Sequence, residues 1–370
     1  MSRNYKITIL IITVIISLAG GVIGGIIFRS YLINSSFGIP LWGDINLSDN
    51  YQQGQVVISQ PKKVIVEQND RIAEVASWAI KNKISFYIKK QPVPSAQEGV
   101  FNIKEYYLPE DKAGEGLILT NDGWAVTAVK VSKSLGYIAV DSEKNIIAIN
   151  KSYFDEISGY YFVKLNTSDL SVAQFTEPEN LSIGELAVAF SEGGVKTAYI
   201  EKVNHYPDYN LVKSSENDFS YLKISEENLI LGDICFGLNG SVVGLYAKQE
   251  SLIPISYFKK LLPSLLNKGE ITRPYLGVNY ILLDDLTGEK KLSGAIIVKN
   301  SKGIAVERKS PAEVAGLLEG DIILEIEGKK ISHDNNLSDV ILNYQLGEEI
   351  ELTIIRDKER RQIKAILEKQ

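Results

Sequence analysis

The chain has 370 residues, of which 45% are apolar and 23% are charged, and its formal net charge is -6. This composition excludes a collagen-like or wholly disordered chain, and the acidic balance gives no reason to expect nucleic-acid binding. The single Cys excludes an intrachain disulfide and a thiolate metal cluster. Only two histidines, His205 and His333, are available to any mechanism that needs a histidine base. No phosphate loop, dinucleotide fingerprint or zinc-ligand spacing occurs, so we expect neither a cofactor nor a metal.

The N-terminus has the pattern of a membrane anchor. Residues 7–28 include no ionisable side chain, and as a helix they span ~33 Å, enough to cross the hydrocarbon core of a bilayer. The run is longer than a signal-peptide core and lacks a small-x-small cleavage site, which favours an uncleaved anchor over a cleaved signal or a buried helix. Cations concentrate before the run, so residues 1–6 are predicted to be cytoplasmic and the rest extracytoplasmic. Residues 29–62 are polar and are predicted to form a linker.

The middle of the chain changes from one helix to many short strands. Apolar residues recur at helical spacing in Asn69–Lys81. Asp122-Gly123 and Asn239-Gly240 then separate β-type runs, as expected of tight hairpins. The runs are Ile84–Ile88, Gly116–Leu119, Trp124–Val129, Tyr137–Val140, Ile146–Ile149, Tyr160–Leu165, Leu186–Phe190 and Ser241–Tyr246. This pattern favours a β-barrel or sandwich pair, closed by a helix over Ser256–Lys268 that Pro263 is expected to kink or shorten.

The last hundred residues predict a small α+β unit. Ser310 is a helix cap, Pro311 suits the first helical position, and Glu313 is expected to reach back and complete a capping box. A second helix is indicated by Leu337, Val340, Ile341 and Tyr344. The predicted strands are Ala295–Lys299, Ile304–Arg308, Asp321–Ile326, Ile350–Arg356 and Ile363–Leu367.

Residues 275–367 resemble a PDZ domain of the kind found in HtrA-type serine proteases. The resemblance is carried by Tyr275-Leu276-Gly277-Val278, by Ser310–Leu317 and by Glu319–Ile323. It implies that the first motif binds a peptide C-terminus through the backbone N–H groups of Leu276, Gly277 and Val278. The groove would lie between the strand from Val278 and the helix Leu337–Tyr344. The residues expected to bind peptide are Tyr275, Leu276, Gly277, Val278, Val340, Ile341 and Tyr344. The alternative is a strand entry with a glycine bend.

Residues 63–269 resemble the trypsin-like domain of the same family. The matching segments are Gly114–Leu119, Asp122–Thr127, Leu238–Gly244 and the junction Gly269–Val278. The resemblance implies a mainly β, chymotrypsin-like fold of two six-stranded barrels with the active site between them. The domains would be residues 63–269 and 270–370.

Such a protease needs a Ser nucleophile, a His base and an Asp that orients the His. Carried over from the family pattern, the His position falls on Lys130, the Asp position on Gly159 and the Ser position on Leu231. Leu229 replaces the glycine that shapes the oxyanion hole. All three catalytic positions are therefore degenerate, and no catalytic residue is assigned.

Other residues offer no replacement. Ser225 and Ser241 are the nearest serines, and a Lys130-based dyad would still lack a hydroxyl at position 231. His205 is interpreted as a turn residue, and His333 as a surface residue or a contact to bound peptide. Cys235 is expected in the core, and the pair Asp284-Asp285 is expected to be solvated.

The sequence favours a membrane-anchored HtrA-like pseudoprotease whose PDZ domain binds protein C-termini or unfolded polypeptides. It would act as a scaffold, sensor or quality-control adaptor in the bacterial envelope. One alternative is an active serine endopeptidase that degrades misfolded envelope proteins, and another is a structural membrane protein without a ligand. The resemblance leaves a homotrimer open, although residues 30–70 carry no heptad pattern.

Overall fold

The protein is described by a computed structural model of two units, residues 1–66 and 67–370. The described residues are 13–14, 16–17, 20–21, 37–39, 43–45, 68–90, 103, 106–131, 136–191, 194–207, 211–288 and 292–369. Most of the predicted membrane span, residues 7–28, lies outside them, and the residues of that span that are described are helical. Within the described ranges, no helix is long and apolar enough to cross a membrane. The first unit also contains an antiparallel pair, β1 (Phe37–Ile39) and β2 (Gly43–Ile45).

The second unit begins with helix α1 (Gln68–Lys81), whose Val75 and Ala79 are fully buried. It is followed by a closed antiparallel barrel in the order β3-β4-β5-β8-β7-β6, called barrel 1. Its strands are β3 (Lys83–Ile88), β4 (Lys112–Ile118), β5 (Trp124–Thr127), β6 (Tyr137–Val140), β7 (Ile146–Asp155) and β8 (Tyr160–Leu165).

Barrel 2 is closed in the order β10-β12-β15-β14-β13-β9. The strands of this region are β9 (Leu186–Ser191), β10 (Gly194–His205), β11 (Lys213–Ser214), β12 (Tyr221–Ile224), β13 (Ile234–Gly237), β14 (Val242–Lys248) and β15 (Ser251–Pro254). Helix α2 (Ile255–Lys268) follows and ends at Gly269, which adopts the left-handed conformation. One core cluster joins residues of both barrels, among them Val126, Phe162, Val188 and Phe236. The two barrels therefore pack face to face.

The C-terminal part is an antiparallel sheet covered by short helices. Its elements are β16 (Pro274–Tyr275), β17 (Asn279–Leu282), β18 (Ala295–Ile297), α3 (Pro311–Val314), β19 (Ile322–Ile326), β20 (Lys329–Lys330), α4 (Leu337–Ile341), β21 (Glu349–Arg356), β22 (Glu359–Ile366) and β23 (Glu368–Lys369). The sheet order is β11-β17-β18-β19-β21-β22, with β20 beside β19. Strand β11 comes from the barrel 2 region of the sequence but pairs with this sheet.

The mainly β class, the two barrels and the α+β unit agree with the sequence prediction. Several details differ. Pro263 does not shorten α2, which keeps the predicted end at Lys268. Residues 304–308 form no strand beyond an isolated bridge at Val306. Ser310 caps α3 as expected, but the Glu313 carboxylate accepts from the N–H of Lys309 and so bypasses the cap residue.

Candidate functional site

The three positions carried over from the family triad lie near the place where the two barrels meet, which we call the cleft. A Cβ at Gly232 would stand 3.1 Å from the Cβ of Ala128, so the turn containing Leu231 lies against the segment that leads to Lys130. Gly159 precedes Tyr160, whose hydroxyl bonds the same Tyr246 carbonyl as the N–H of Gly232. Lys130, Gly159 and Leu231 are all exposed. Leu231 has no nucleophilic atom and Gly159 no acid, so Lys130, a possible base, has neither a hydroxyl nor an orienting carboxylate at the matching positions.

The turn at Leu231 is held by hydrogen bonds on both sides of Leu231. In a triad protease the N–H groups of the nucleophile and of the residue two before it form the oxyanion hole, and the matching positions here are Leu231 and Leu229. Here the N–H of Gly232 donates to the carbonyl of Tyr246 at 3.0 Å, and the N–H of Ile230 donates to the Asp233 carboxylate at 2.9 Å. Asp233 is buried, and burial raises the pKa of its carboxyl. These bonds fix the turn and involve neither the Leu229 nor the Leu231 N–H group.

Tyr160, the residue after Gly159, is buried where the two barrels meet. Tyr160 is completely buried and its ring packs edge-on against Phe258 of α2, with centroids 5.3 Å apart. Its hydroxyl donates to the carbonyl of Tyr246 at 2.5 Å. Burial raises the pKa of this hydroxyl far above its ordinary value, so it remains a neutral donor. Tyr160 therefore serves packing between the barrels.

Neither histidine reaches this cleft. His205 ends β10 and pairs with Tyr221 in barrel 2, so its interpretation as a turn residue is wrong. The His333 ring contacts the Asp285 carboxylate at 3.0 Å in the C-terminal unit. Cys235 is fully buried in the core of barrel 2, as expected. In the part of the chain that the structure describes, no group of three or more His, Cys, Asp or Glu side chains is placed to hold a metal.

The second candidate site is the loop Tyr275–Val278, which we call the carboxylate loop. Gly277 adopts a φ of 89°, and a Cβ there would stand 2.3 Å from the Cβ of Ser310. Only glycine fits this turn, because the left-handed backbone and the close approach both exclude a side chain. The turn brings the N–H groups of consecutive residues to one side of the loop.

These N–H groups converge on a carboxylate of the same chain. The Glu216 Oε1 atom accepts from the N–H of Gly277 at 2.7 Å and from that of Leu276 at 3.2 Å. The N–H of Val278 donates to the Ser215 hydroxyl at 3.1 Å. Two of the three backbone donors that the resemblance assigned to the loop, Leu276 and Gly277, therefore bind a carboxylate, which here belongs to a side chain, and the third, Val278, binds a hydroxyl.

Among the other predicted groove residues, Val340 and Ile341 lie in the expected helix and Tyr344 does not. Val340 and Ile341 lie in α4 and are only 2% and 1% exposed, because they pack into the core of the C-terminal unit. Tyr344 lies beyond the end of α4, which is shorter than predicted, and is half-buried. Tyr275 is half-buried in β16, and burial, with the nearby Glu216 and Glu307, raises the pKa of its hydroxyl to about 12.

A buried ion pair lies between the cleft and the carboxylate loop. Asp155 is 1% exposed and pairs with Arg273, the residue before β16. The Tyr257 hydroxyl donates to the same carboxylate at 2.9 Å. The Arg273 Nε atom has no hydrogen-bond partner, the one such buried side-chain atom among the described residues. This cluster fixes the chain where barrel 1, α2 and the C-terminal unit meet.

Comparison with known proteins agrees with this geometry. The PDZ domain family model matches residues 274–367. A protein named as a DegP-like periplasmic serine endoprotease from Bartonella henselae is 27% identical over 273 residues, which cover 69% of this chain and 53% of that protein. The Synechocystis protein named as serine protease HhoB is 25% identical, over 67% of this chain and 64% of its own length.

Solved structures show the same fold. The HtrA-type protease AlgW with a tripeptide superposes with a TM-score of 0.56 at 16% identity, covering 81% of this chain and 97% of that chain. AlgW with a decapeptide gives a TM-score of 0.54 at 17% identity, over 81% and 98%. The chain has the fold of the HtrA-type proteases, and its residues 274–367 match a PDZ domain. It spans about half the length of the first curated relatives that it matches.

Sequence reasoning missed the contacts that organise the PDZ groove. Glu216 lies in a polar run without periodicity, so no pattern identified it as a partner of the carboxylate loop. Asp285 was expected to be solvated, but it pairs with Lys213 at 2.6 Å as well as with His333. The Asp155–Arg273 pair is also absent from the predictions, because its partners lie 118 residues apart in sequence.

Proposed function

We propose that this HtrA-type protein is a pseudoprotease whose PDZ groove binds protein C-termini. The observation that carries the binding function is the convergence of the Leu276 and Gly277 N–H groups on one carboxylate oxygen. A peptide C-terminus carries such a carboxylate and can add to β17 as an extra strand. The peptides named in the AlgW structures support this mode of binding.

The residues at the family's catalytic positions support a loss of catalysis. Lys130, Gly159 and Leu231 stand at the triad positions, and Leu229 replaces the glycine that shapes the oxyanion hole. The relatives named as serine endoproteases favour the alternative of an active endopeptidase. A fluorophosphonate probe and a casein digest decide between them. Covalent labelling that one Ser→Ala substitution abolishes would contradict the pseudoprotease.

For cellular location, we propose a single-pass anchor over residues 7–28, with the linker 29–62, the barrel domain 63–269 and the PDZ domain 270–370 outside the membrane. The uncharged N-terminal run and the relatives named as periplasmic support it. Carbonate extraction of membranes tests the anchor, and deletion of residues 1–28 should release the protein. Crosslinking of the full chain tests for a homotrimer.

Peptide binding is tested with a library of peptides that carry free C-termini. The full chain in neutral detergent should retain a subset of them, and amidation of the C-terminus should abolish retention because the carboxylate accepts the loop hydrogen bonds. If the library retains nothing, the structural protein without a ligand becomes the better description.

A further inference from the structure

The PDZ groove is already occupied by a segment of the same chain. Residues 213–216, called the 213–216 segment, leave the barrel 2 region and lie along the edge of the PDZ sheet. Lys213 pairs with Tyr280 and Ser214 with Asn279, in antiparallel register. The segment runs toward the carboxylate loop, which is the direction that an added peptide takes when its C-terminus binds there.

The segment also supplies the terminal contacts of a bound peptide. The N–H of Ser215 donates to the Val278 carbonyl at 3.0 Å, as the last residue of an added strand does. The Glu216 side chain then places its carboxylate on the N–H groups of Leu276 and Gly277. Because Glu216 is only 9% exposed, these contacts close the carboxylate loop to solvent.

Contacts on both sides hold the segment in place. Before it, the Tyr206 ring covers the Lys213 ammonium at 4.3 Å and the Tyr206 hydroxyl binds Asn336 of the PDZ domain. After it, Phe219 stacks on Tyr257 of α2 with centroids 4.2 Å apart. A ligand tethered at both ends has a high effective concentration at its site. A free peptide must therefore compete with it.

The groove also indicates the chemistry of that competitor. If Ser215 occupies the place of the last residue, Lys213 occupies the third place from the end. Its ammonium lies 2.6 Å from the Asp285 carboxylate, which His333 also contacts. This subsite is acidic and suits a basic side chain.

We propose that the 213–216 segment is a built-in competitor of the PDZ groove, displaced by protein C-termini that carry Lys or Arg at the third position from the end. The inference rests on the proposed peptide-binding function and adds to it a closed state and a ligand class. The incoming carboxylate takes the place of the Glu216 carboxylate, so the exchange keeps one negative charge on the loop.

The first experiment measures competition. The probe is a fluorescent peptide with the sequence of residues 209–215, Tyr-Asn-Leu-Val-Lys-Ser-Ser, with a free C-terminus. Fluorescence polarisation is recorded with the full chain in neutral detergent. Because the apparent Kd is the intrinsic Kd divided by the fraction of open groove, E216A should bind the probe at least about tenfold more tightly than the wild type. The exposed Glu227 provides the matched control E227A, which should leave the affinity unchanged.

A reversible lock gives a second readout that does not depend on removing Glu216. Bonded pairs at Lys213–Tyr280 and Ser215–Val278 place Ser214 and Asn279 in the closely spaced, non-hydrogen-bonded register, where Cα atoms are ~4.5 Å apart. The distance suits a disulfide. Oxidised S214C/N279C should bind no probe, and reduction should restore wild-type binding, which also shows that the variant is folded.

The subsite is tested with the probe itself and a charge-reversed probe in which Glu replaces its Lys. The reversed peptide should bind E216A at least about tenfold more weakly, and D285N should reduce that difference. Equal affinity of both peptides would overturn the assigned ligand class.

The outcomes separate this inference from the proposed function. If free C-termini bind the wild type and E216A equally and the oxidised lock still binds, the competitor is wrong while peptide binding stands. If neither the wild type nor E216A retains any peptide from the library, the proposed binding function fails, and the competitor fails with it.

Discussion

The inter-barrel cleft and the PDZ groove depend on different parts of the chain. In the cleft, acyl transfer would require particular side chains, and the triad positions carried over from the family hold Lys130, Gly159 and Leu231. In the groove, function requires backbone N–H groups, and those of Leu276 and Gly277 still converge on a carboxylate. A backbone donor survives any substitution that preserves the turn, whereas a catalytic side chain is lost in one substitution. Under the proposed function, this difference accounts for a binding loop that persists beside a lost catalytic site.

The largest expected effect concerns how far substitutions in the cleft can restore reactivity toward fluorophosphonate. The triple variant K130H/G159D/L231S should remain about 10²–10³-fold less reactive toward fluorophosphonate than an active relative, because Leu229 still replaces the glycine that shapes the oxyanion hole. Adding L229G should produce measurable labelling. Equal labelling of the triple and quadruple variants would show that the oxyanion turn is not the barrier.

The Asp155–Arg273 pair connects the end of β7 to the segment that leads into the PDZ domain. D155A should lower the free energy of unfolding by about 3–5 kcal/mol, because Arg273 would be left charged in a buried place. The matched control is E177A, which removes the partner of Lys259 in an exposed pair and should cost less than about 1 kcal/mol. Urea denaturation measures both, and similar losses would mean that Asp155 is not buried in solution.

The carboxylate loop can be compared with a glycine turn that touches nothing. G277A should cost about 2–3 kcal/mol, since it combines a positive φ with a close approach to Ser310. G303A, at a φ of 78° with open space around it, should cost only about 1 kcal/mol. G277A should also lose peptide binding, and a variant that bound peptide normally would contradict the loop's role.

In the cleft, the hydroxyl of Tyr160 is expected to contribute to packing alone. Y160F should reduce stability by about 1 kcal/mol, because the buried hydroxyl loses its bond to the Tyr246 carbonyl. The neighbouring Y161F removes a half-buried hydroxyl and should be nearly neutral. Thermal melting of both variants measures the difference. Peptide affinity should be unchanged in each, so a shift in affinity would refute a purely structural role.

The smallest effect is a pH dependence in the groove. Burial would raise the pKa of Asp285, but hydrogen bonds from Lys213 and His333 outweigh it and hold this pKa below 3.8. A lowered pKa means that Asp285 stabilises the fold above pH 3.8 and that this contribution is lost as the pH falls through its folded pKa. Between pH 5 and pH 3, the free energy of unfolding should therefore fall further in the wild type than in D285N, by up to about 1 kcal/mol. Parallel stability curves would exclude this contribution.

Much of the fold could be predicted from local patterns. The Asp122-Gly123 and Asn239-Gly240 turns and the short apolar runs identified most strands of the barrels. Strand β10 escaped prediction because its residues are mostly half-buried or exposed and do not alternate in polarity. Its length of 12 residues was visible only once its partners on both sides were known.

The groove was predictable in part. The Tyr275–Val278 motif indicated the carboxylate loop, because only glycine fits the left-handed turn at position 277. Its occupant was not predictable, since Lys213–Glu216 is polar and its partners lie about 60 residues further along the chain. Long-range pairing of a short polar strand leaves no periodic signal.

Strand β11 has a consequence for how the molecule unfolds. It belongs by sequence to barrel 2 and by hydrogen bonding to the PDZ sheet. Detaching the PDZ domain would therefore strip an edge strand from one domain and leave the polar groups of Lys213 and Glu216 without partners in the other. Calorimetry should accordingly record one cooperative transition for the barrels and the PDZ domain, with equal calorimetric and van't Hoff enthalpies.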